Sequence, residues 1–188
     1  MRLALEKVYN LHMIYVLFGP PGVGKTYIGQ LLSRYFDLPF FDADTLIDSE
    51  EMQLLQSGKY DQVARDHFVE KLINHVEGLI NDQGNIQDLV VAEAFTKEKN
   101  REVFMSKFPE NVCYIMVNTP VEVAKDRAKK RLGLRKHVIN DVALELIWKE
   151  FEKPKVLYLS INNYKVVDSE LVAQFGNLIK LLRRGKNI

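Results

Sequence analysis

The feature that most constrains this chain is a glycine-rich octapeptide at residues 19–26, Gly-Pro-Pro-Gly-Val-Gly-Lys-Thr. It matches the pattern G-x-x-x-x-G-K-[ST], in which a loop between a strand and a helix wraps a phosphate chain. The flanking sequence agrees. The apolar run 13–18 is typical of a buried strand, and apolar residues at helical spacing follow over 27–36. The sequence therefore predicts a strand, a phosphate-binding loop and a helix, in that order.

The residue types in this loop suit the binding of a polyphosphate. Backbone N–H groups can surround phosphates only where side chains leave room, which explains the glycines. The helix behind the loop would direct its positive end at the phosphates. We expect Lys25 to reach the β- and γ-phosphates and Thr26 to ligate Mg²⁺. The predicted cofactors are ATP and Mg²⁺, although the sequence does not distinguish ATP from GTP. The residues of this segment that we predict to bind the nucleotide are Gly19, Pro20, Gly22, Val23, Gly24, Lys25, Thr26 and Tyr27.

Length and composition limit the class of protein. A chain of 188 residues fits a single domain over 1–188, in which residues 1–12 are an extension or a misassigned start. The net charge of +1 argues against a general nucleic-acid or membrane surface. No apolar run approaches the length of a membrane span. A single cysteine excludes a disulfide framework. We expect a cytoplasmic monomer or homodimer that acts on a small molecule, without a membrane or nucleic-acid partner.

Apolar runs alternate with amphipathic segments along the chain. Strands are predicted at 13–18, 38–41, 89–92, 111–118 and 164–167, and helices lie between and after them. This order describes a parallel sheet covered on both faces. We predict an α/β three-layer sandwich with a five-stranded parallel sheet, of the P-loop NTPase type found in nucleoside monophosphate kinases. Ligands in such sheets bind at the carboxyl ends of the strands.

Two carboxylates, Asp42 and Asp44, follow the second predicted strand. Residues two apart in a strand face the same side, so both can point into one cleft. One acid can hold the hydration shell of Mg²⁺, and the other can accept the proton of an attacking hydroxyl. The alternative is structural: a turn in which Asp44 or Thr45 caps a helix over 46–54.

At this point the sequence resembles the small P-loop kinases that include shikimate kinase and gluconokinase. Residues 41–48, Phe-Asp-Ala-Asp-Thr-Leu-Ile-Asp, are similar to the shikimate kinase D-x-D segment. That resemblance implies that Asp42 goes with the metal and Asp44 with the substrate hydroxyl. Residues 90–97, followed by Arg101, are similar to the third strand of gluconokinase and the segment after it. The resemblance covers roughly residues 13–170.

Several departures from both relatives leave the substrate open. Shikimate kinase carries a glycine triplet after its third strand, where this chain has Glu93-Ala94-Phe95. Gluconokinase usually has a single acid in a glycine–aspartate context. Its lid histidine is followed by an aromatic residue, where this chain has Val138. P-loop polynucleotide and nucleoside kinases also tolerate the pattern.

The remaining candidates each have a structural alternative. Arg65 resembles the arginine that these kinases place against an anionic or polyol substrate, and Arg101 has the same status, but either can be an ordinary helix arginine. Glu93 ends a buried strand at the cleft and can read substrate hydroxyls or cap the next helix.

A basic run over 127–136 is ordinarily a solvated face, but here it resembles the lid of these kinases, at about 127–140. A lid would supply Arg131 or Arg135 to the transferring phosphoryl group. By the same resemblance, Arg127 is expected near the adenine.

These observations predict a phosphotransferase that moves the γ-phosphoryl of Mg-ATP to a hydroxyl of a small molecule, a sugar acid or a shikimate-like polyol. Its predicted catalytic residues are Lys25, Asp44, Arg131 and Arg135, and its predicted substrate-binding residues are Asp44, Arg65, Glu93 and Arg101. One alternative is a nucleoside or polynucleotide 5′-hydroxyl kinase. Another is an ATP-binding regulator without a small-molecule acceptor. The regulator is disfavoured because Asn118 stands where a later-strand acid would be expected.

Overall fold

The computed structural model describes residues 13–82, 88–132 and 139–185. Its strands are β1 (Met13–Phe18), β2 (Phe40–Asp42), β3 (Asp88–Glu93), β4 (Val112–Asn118) and β5 (Tyr158–Asn162). Its α-helices are α1 (Lys25–Phe36), α2 (Ser49–Gln56), α3 (Gln62–Asp82), α4 (Glu98–Lys107), α5 (Val121–Leu132), α6 (Asp141–Glu150) and α7 (Asp168–Gly185). Within these residues, no helix has the length and apolar character to span a membrane.

The strands form one five-stranded sheet in the order β2-β3-β1-β4-β5, and every neighbouring pair is parallel. At the centre, Tyr15 of β1 lies opposite Val90 of β3 on one side and Cys113 of β4 on the other. Parallel neighbours need crossover connections, which the helices provide. The predicted α/β fold with a five-stranded parallel sheet is confirmed.

Each face of the sheet has its own apolar core. Along β1, Ile14, Val16 and Phe18 face one side, whereas Tyr15 and Leu17 face the other, as the alternation of a strand requires. The first core includes residues of α2, α3, α4 and α6, and the second includes residues of α1, α5 and α7. All five side chains are at most 1% exposed, so β1 is fixed from both sides and the loop after it starts from a rigid point.

The last strand differs from its prediction. It was expected at 164–167 but lies at Tyr158–Asn162, paired with β4. This is an edge strand, and only Ile161 is buried in it, so its sequence lacks the continuous apolar run of an inner strand. Residues 164–167 cannot extend the sheet in this way because Lys165 has a left-handed φ of 54°.

The segment after β2 also differs from its prediction. The strand ends at Asp42, and Asp44 lies in a short 3₁₀ turn over Ala43–Leu46. Asp42 caps that turn by accepting the Asp44 N–H at 3.2 Å. The following helix is capped by neither Asp44 nor Thr45. Instead, Asp48 accepts the N–H groups of Glu50 and Glu51, and the Glu51 carboxylate accepts the Asp48 N–H in return.

Candidate active site

The glycine-rich loop joins β1 to α1 and depends on its glycines for close packing. Gly22 has a φ of 85°, and a Cβ there would lie 1.9 Å from the carbonyl oxygen of Ala124 in α5. Gly24, with a φ of 102°, precedes the first residue of α1, and its Cβ would lie 2.1 Å from Nδ2 of Asn163. Side chains at these positions would therefore push the loop away from the elements behind it.

Polar side chains that directly follow β4 and β5 hold the glycine-rich loop in place through hydrogen bonds to its backbone. The carbonyl oxygen of Val23 accepts hydrogen bonds from Nδ2 of Asn163 at 2.7 Å and from Oγ1 of Thr119 at 3.0 Å. Arg127 donates from Nη1 to the carbonyl oxygen of Asn163 at 3.2 Å. Arg127 thus lies beside the loop, although its expected position near adenine stays a prediction. Sequence reasoning missed Asn163 because it placed the last strand too late in the chain.

Lys25 folds back over the loop. Its Nζ donates to the carbonyl oxygens of Gly19 at 2.7 Å and Pro20 at 3.3 Å. Burial lowers the pKa of Lys25, while the nearby carboxylates of Asp44, Glu93 and Asp42 oppose that effect. The ammonium group of Lys25 therefore lies close enough to the loop to contact an anion that binds there.

The two predicted metal ligands, Thr26 and Asp42, are in contact. The Thr26 hydroxyl donates to Oδ2 of Asp42 at 2.8 Å, which brings the start of α1 to the end of β2. A hydroxyl and a carboxylate are hard oxygen ligands of the kind that Mg²⁺ prefers, and proteins commonly supply one or two carboxylates while water and phosphate supply the rest. Across the described residues, no group of three or more His, Cys, Asp or Glu side chains could hold a metal ion. The Thr26 hydroxyl and the Asp42 carboxylate can supply two of the oxygen ligands of an Mg²⁺.

Two adjoining cavities lie at the site, and the larger of them, with a volume of about 650 Å³, is partly lined by the glycine-rich loop. Its lining includes Pro21, Gly22, Gly24, Lys25, Thr26, Tyr27, Asp42, Asp44 and Arg131. The Tyr27 hydroxyl, at its edge, donates a short hydrogen bond to Asp168 of α7. Arg135 and the predicted lid residues 133–138 lie outside the described residues.

A smaller cavity of about 70 Å³ adjoins the larger one. Its polar lining residues include Asp44, Arg65 and Glu93. Four residues line both cavities: Asp44, Ala94, Ile139 and Ile147. The structure therefore brings three of the predicted substrate residues to one cavity and places Asp44 at its border with the loop.

The charged groups of the smaller cavity are tightly held. Nη2 of Arg65 donates to Oε2 of Glu150 at 2.6 Å and to the carbonyl oxygen of Tyr60 at 3.2 Å. Oε1 of Glu93 accepts the N–H of Phe95 at 3.2 Å. Burial, and secondly the negative charge of Asp44, raise the pKa of Glu93 to about 7. A carboxyl group with this pKa can either donate or accept a hydrogen bond near neutral pH.

Arg101 has a structural position rather than the expected substrate contact. It is 0% exposed and lines neither cavity. Its guanidinium donates to Glu98 Oε2 at 2.7 Å, to the Glu152 carbonyl oxygen at 3.0 Å and, at short range, to the Phe95 carbonyl oxygen. It also lies near the rings of Phe18 and Phe151. With these partners, Arg101 fastens α4 to the segment after α6.

The sequence did not predict that Glu150 would lie near the smaller cavity as the partner of Arg65. Glu150 ends α6, 85 positions after Arg65, and its Oε2 also lies 3.7 Å from Nζ of Lys97. Nothing in the local sequence singles out this glutamate among its charged neighbours. Only the packing of α6 near the start of α3 reveals it.

The family model for shikimate kinase matches residues 21–181. The fold and the site define this chain as a small-molecule kinase of the P-loop class. Because the match spans most of the sequence, the chain belongs to the shikimate kinase family.

Individual relatives agree with the predicted shikimate kinase and gluconokinase-like group. The shikimate kinase of Macrococcus caseolyticus is 27% identical over 171 residues, covering 89% of this chain and 96% of that protein. A shorter match to the shikimate kinase of Rhodococcus jostii, 33% identical over 72 residues, covers 35% of this chain and 43% of that protein. A probable gluconokinase of Dictyostelium discoideum is 24% identical, with coverage of 94% and 92%.

A solved structure supports the fold. The crystal structure of a gluconokinase from Sinorhizobium meliloti has a TM-score of 0.72 to this chain at 17% identity, covering 93% of this chain and 95% of that one. The likeness extends over the sheet and its helices together, which confirms the predicted fold.

Proposed function

We propose that this kinase transfers the γ-phosphoryl group of Mg-ATP to a hydroxyl of a sugar acid or a shikimate-like polyol. The observation that supports this proposal best is the position of Asp44, which lines both the larger and the smaller cavity. A carboxylate at the border between a phosphate-binding loop and a second cavity can contact a hydroxyl beside the terminal phosphate.

On the nucleotide side, the loop holds the phosphates. The backbone N–H groups of 19–26 and the positive end of α1 attract the phosphate oxygens, and Lys25 exchanges its carbonyl partners in the loop for the β- and γ-phosphates. Arg131, which lines the larger cavity, stabilises negative charge on the phosphoryl group in transit. Arg127 and Tyr27 flank the end of the nucleotide that is farthest from the γ-phosphate.

Thr26 and Asp42 would hold Mg²⁺, since their oxygens already lie 2.8 Å apart. When bound, Mg²⁺ neutralises charge on the β- and γ-phosphate oxygens.

On the acceptor side, Asp44 orients the hydroxyl and takes its proton. The hydroxyl oxygen forms a bond to the γ-phosphorus, the bond from that phosphorus to the bridging oxygen of ADP breaks, and the electron pair leaves with ADP. Arg65 and Glu93 position the rest of the acceptor in the smaller cavity. Apolar walls there, such as Phe68 and Phe95, keep water from competing with the acceptor.

The test is ADP release from Mg-ATP by the full chain and by Asp44→Asn, with sugar acids, cyclohexene acids, polyols, nucleosides and short oligonucleotides as acceptors. An accepted hydroxyl compound should raise turnover above the water background. Asp44→Asn should lower that turnover by roughly 10²- to 10⁴-fold, as loss of a general base does. Asp126→Asn, on the exposed side of α5, is the matched control.

Three outcomes would contradict the proposal. Stimulation by nucleosides or oligonucleotides alone would favour the nucleoside or polynucleotide kinase. Tight ATP binding without any stimulating acceptor, or full activity of Asp44→Asn, would remove the assigned transfer step.

A further inference from the structure

The peptide unit between Val23 and Gly24 lies where the glycine-rich loop separates the larger cavity from the elements behind it. Gly24 lines that cavity, whereas Val23 is buried and lines neither cavity. The carbonyl oxygen of Val23 accepts hydrogen bonds from Nδ2 of Asn163 at 2.7 Å and from Oγ1 of Thr119 at 3.0 Å. Neither donor lines either cavity. This carbonyl is therefore held on the side of the loop that faces away from the larger cavity.

The direction of the Val23 carbonyl fixes the direction of the next N–H group. In a trans peptide, the C=O of one residue and the N–H of the following residue point in opposite directions. The described residues contain no cis peptide bond. Because the Val23 carbonyl is held toward Asn163, the N–H of Gly24 points toward the cavity that Gly24 lines. Within the described part of the chain, this N–H donates to no other residue, so it is available to a phosphate oxygen.

Glycine would let this peptide unit turn over if the Val23 carbonyl were released. Such a turn changes ψ of Val23 and φ of Gly24, and glycine adopts positive and negative φ about equally readily. The turned peptide would present a carbonyl oxygen to the cavity in place of an N–H, and that oxygen repels the oxygens of a phosphate. The hydrogen bonds to the Val23 carbonyl oppose this turn.

Asn163 presents a fixed donor to the loop because the sheet holds its backbone. It directly follows β5, and its N–H donates to the carbonyl oxygen of Asn118, the last residue of β4, at 2.8 Å. Its carbonyl oxygen accepts hydrogen bonds from Nη1 of Arg127 and Oγ1 of Thr119, both at 3.2 Å. The residue is buried, so its side-chain amide has little access to water.

We infer that Asn163 is a positioning residue for phosphate binding: by holding the Val23 carbonyl, it keeps the N–H of Gly24 directed at the phosphates of the bound nucleotide. Thr119 supplies a second donor to the same oxygen. The inference rests on the proposed use of Mg-ATP, and it adds a residue that acts through the loop backbone. Without the Asn163 amide, some of the molecules hold the turned peptide, and the apparent Kd rises in inverse proportion to the fraction that stays competent.

Calorimetric titration of the full chain with Mg-ADP and with Mg-tripolyphosphate tests the inference. Asn163→Leu removes the amide donor but keeps a side chain of similar size. We expect the Kd of both ligands to rise about tenfold, which corresponds to about a tenth of the molecules keeping the competent peptide. Asn162→Leu, at an exposed position one residue earlier, is the matched control and should bind like the wild type. Tripolyphosphate has no base, so a loss confined to ADP would place the effect at Arg127 and overturn the inference.

A second measurement reports on the N–H of Gly24 itself. Val23-Gly24 is the only valine–glycine pair in the sequence. Labelling valine with ¹³C at the carbonyl and glycine with ¹⁵N therefore gives one selectable NMR signal, that of the Gly24 N–H. In the wild type, this proton should shift downfield when Mg-tripolyphosphate binds, because it then donates to a phosphate oxygen. In Asn163→Leu, the same shift should require about tenfold more ligand.

Thr119 offers an independent pair of variants, which decides the question if Asn163→Leu does not fold. Thr119→Val removes the hydroxyl at nearly constant size and should raise both Kd values by roughly fivefold, as loss of one neutral hydrogen bond does. Thr119→Ser keeps the hydroxyl and should recover the affinity that Thr119→Val loses. Equal losses in these two variants would mean that only the shape of the side chain matters, and would overturn the inference.

Two other results would overturn the inference while the proposed function stands. One is a Kd of Asn163→Leu equal to that of the wild type for both ligands. The other is binding of Mg-tripolyphosphate to the wild type without a shift of the Gly24 signal. If the wild type binds neither ligand, the proposed use of Mg-ATP fails, and the inference fails with it.

Discussion

The hydroxyl of Thr26 lies 2.8 Å from Oδ2 of Asp42 and donates a hydrogen bond to it. The two residues come from different motifs, the glycine-rich loop and the D-x-D segment, which are separated along the chain by the rest of α1 and the residues before β2. Their contact places two oxygen ligands side by side at the edge of the larger cavity. The two residues that we propose to hold Mg²⁺ are thus brought together by elements that the sheet holds in place.

Asp42→Asn tests this assignment. The substitution keeps an oxygen for Thr26 but removes the negative charge that Mg²⁺ prefers. We expect the Mg²⁺ concentration for half-maximal ADP formation to rise by roughly tenfold, the lower end of the effect of altered metal-site partners. Binding of Mn²⁺ in the presence of ADP, followed by electron paramagnetic resonance, should weaken in parallel. Asp37→Asn is the control, because Asp37 is exposed and its left-handed φ of 53° suits asparagine. Unchanged metal binding in Asp42→Asn would place the metal elsewhere.

Gly22→Ala should disrupt the packing of the glycine-rich loop against α5. The new Cβ would lie 1.9 Å from the carbonyl oxygen of Ala124, at a φ of 85° that alanine rarely adopts. We expect the free energy of unfolding to fall by roughly 1–3 kcal/mol from strain alone, measured by urea denaturation without nucleotide. Gly78→Ala, in the interior of α3 with no atom within 4 Å of its Cβ, should instead raise it by roughly 0.5–1 kcal/mol. Equal effects of the two substitutions would contradict the packing argument.

Much of this fold could be predicted because its strongest signals are local. Residues 19–26 form a motif that is readable from spacing alone, and β1, β3 and β4 are inner strands with apolar side chains on both faces. The edge strand β5 lacks that signal, and its misplacement hid Asn163, which supports the loop through Val23.

The site was less predictable than the fold because its contacts join distant parts of the chain. Asp44 follows β2 and Glu93 ends β3, and because these strands are neighbours the sheet brings the two residues together at one edge. The pairing of Arg65 with Glu150 depends on how α6 packs, which no spacing in the sequence records. Arg101 resembles a substrate residue by its position in the sequence, yet burial gives it protein partners instead.

Substitution of Arg101 should affect stability and not acceptor binding. Arg101→Met removes one partner of a buried ion pair and leaves Glu98 without it, so we expect a loss of roughly 3–5 kcal/mol in the free energy of unfolding. Arg101→Lys keeps the charge but not the planar fork, so it should fold with a lower Tm and an unchanged KM for the acceptor. Arg34→Lys, at an exposed position of α1, is the control for both measurements. A raised acceptor KM with an unchanged Tm in Arg101→Lys would restore a substrate role.

The free energy of unfolding should fall as the pH rises and Glu93 loses its proton. Its pKa is raised from an ordinary 4.5 to about 7 in the folded chain, first by burial and then by Asp44. The folded state therefore binds this proton more tightly than the unfolded state does, and the resulting stabilisation is complete below pH 4.5 and lost as the pH approaches 7.

Glu93→Gln removes this titration while retaining a polar side chain of similar size. Between pH 5 and pH 8, the free energy of unfolding of the wild type, relative to Glu93→Gln, should fall by about 2–3 kcal/mol, because the variant has no proton to release at this position. Urea denaturation of both proteins at several pH values measures the difference and cancels the groups that they share. Glu102→Gln, at an exposed position of α4, should follow the wild type throughout. Parallel curves for the wild type and Glu93→Gln would mean that Glu93 ionises at its ordinary pKa, and the cavity would then present two full negative charges to its acceptor at neutral pH.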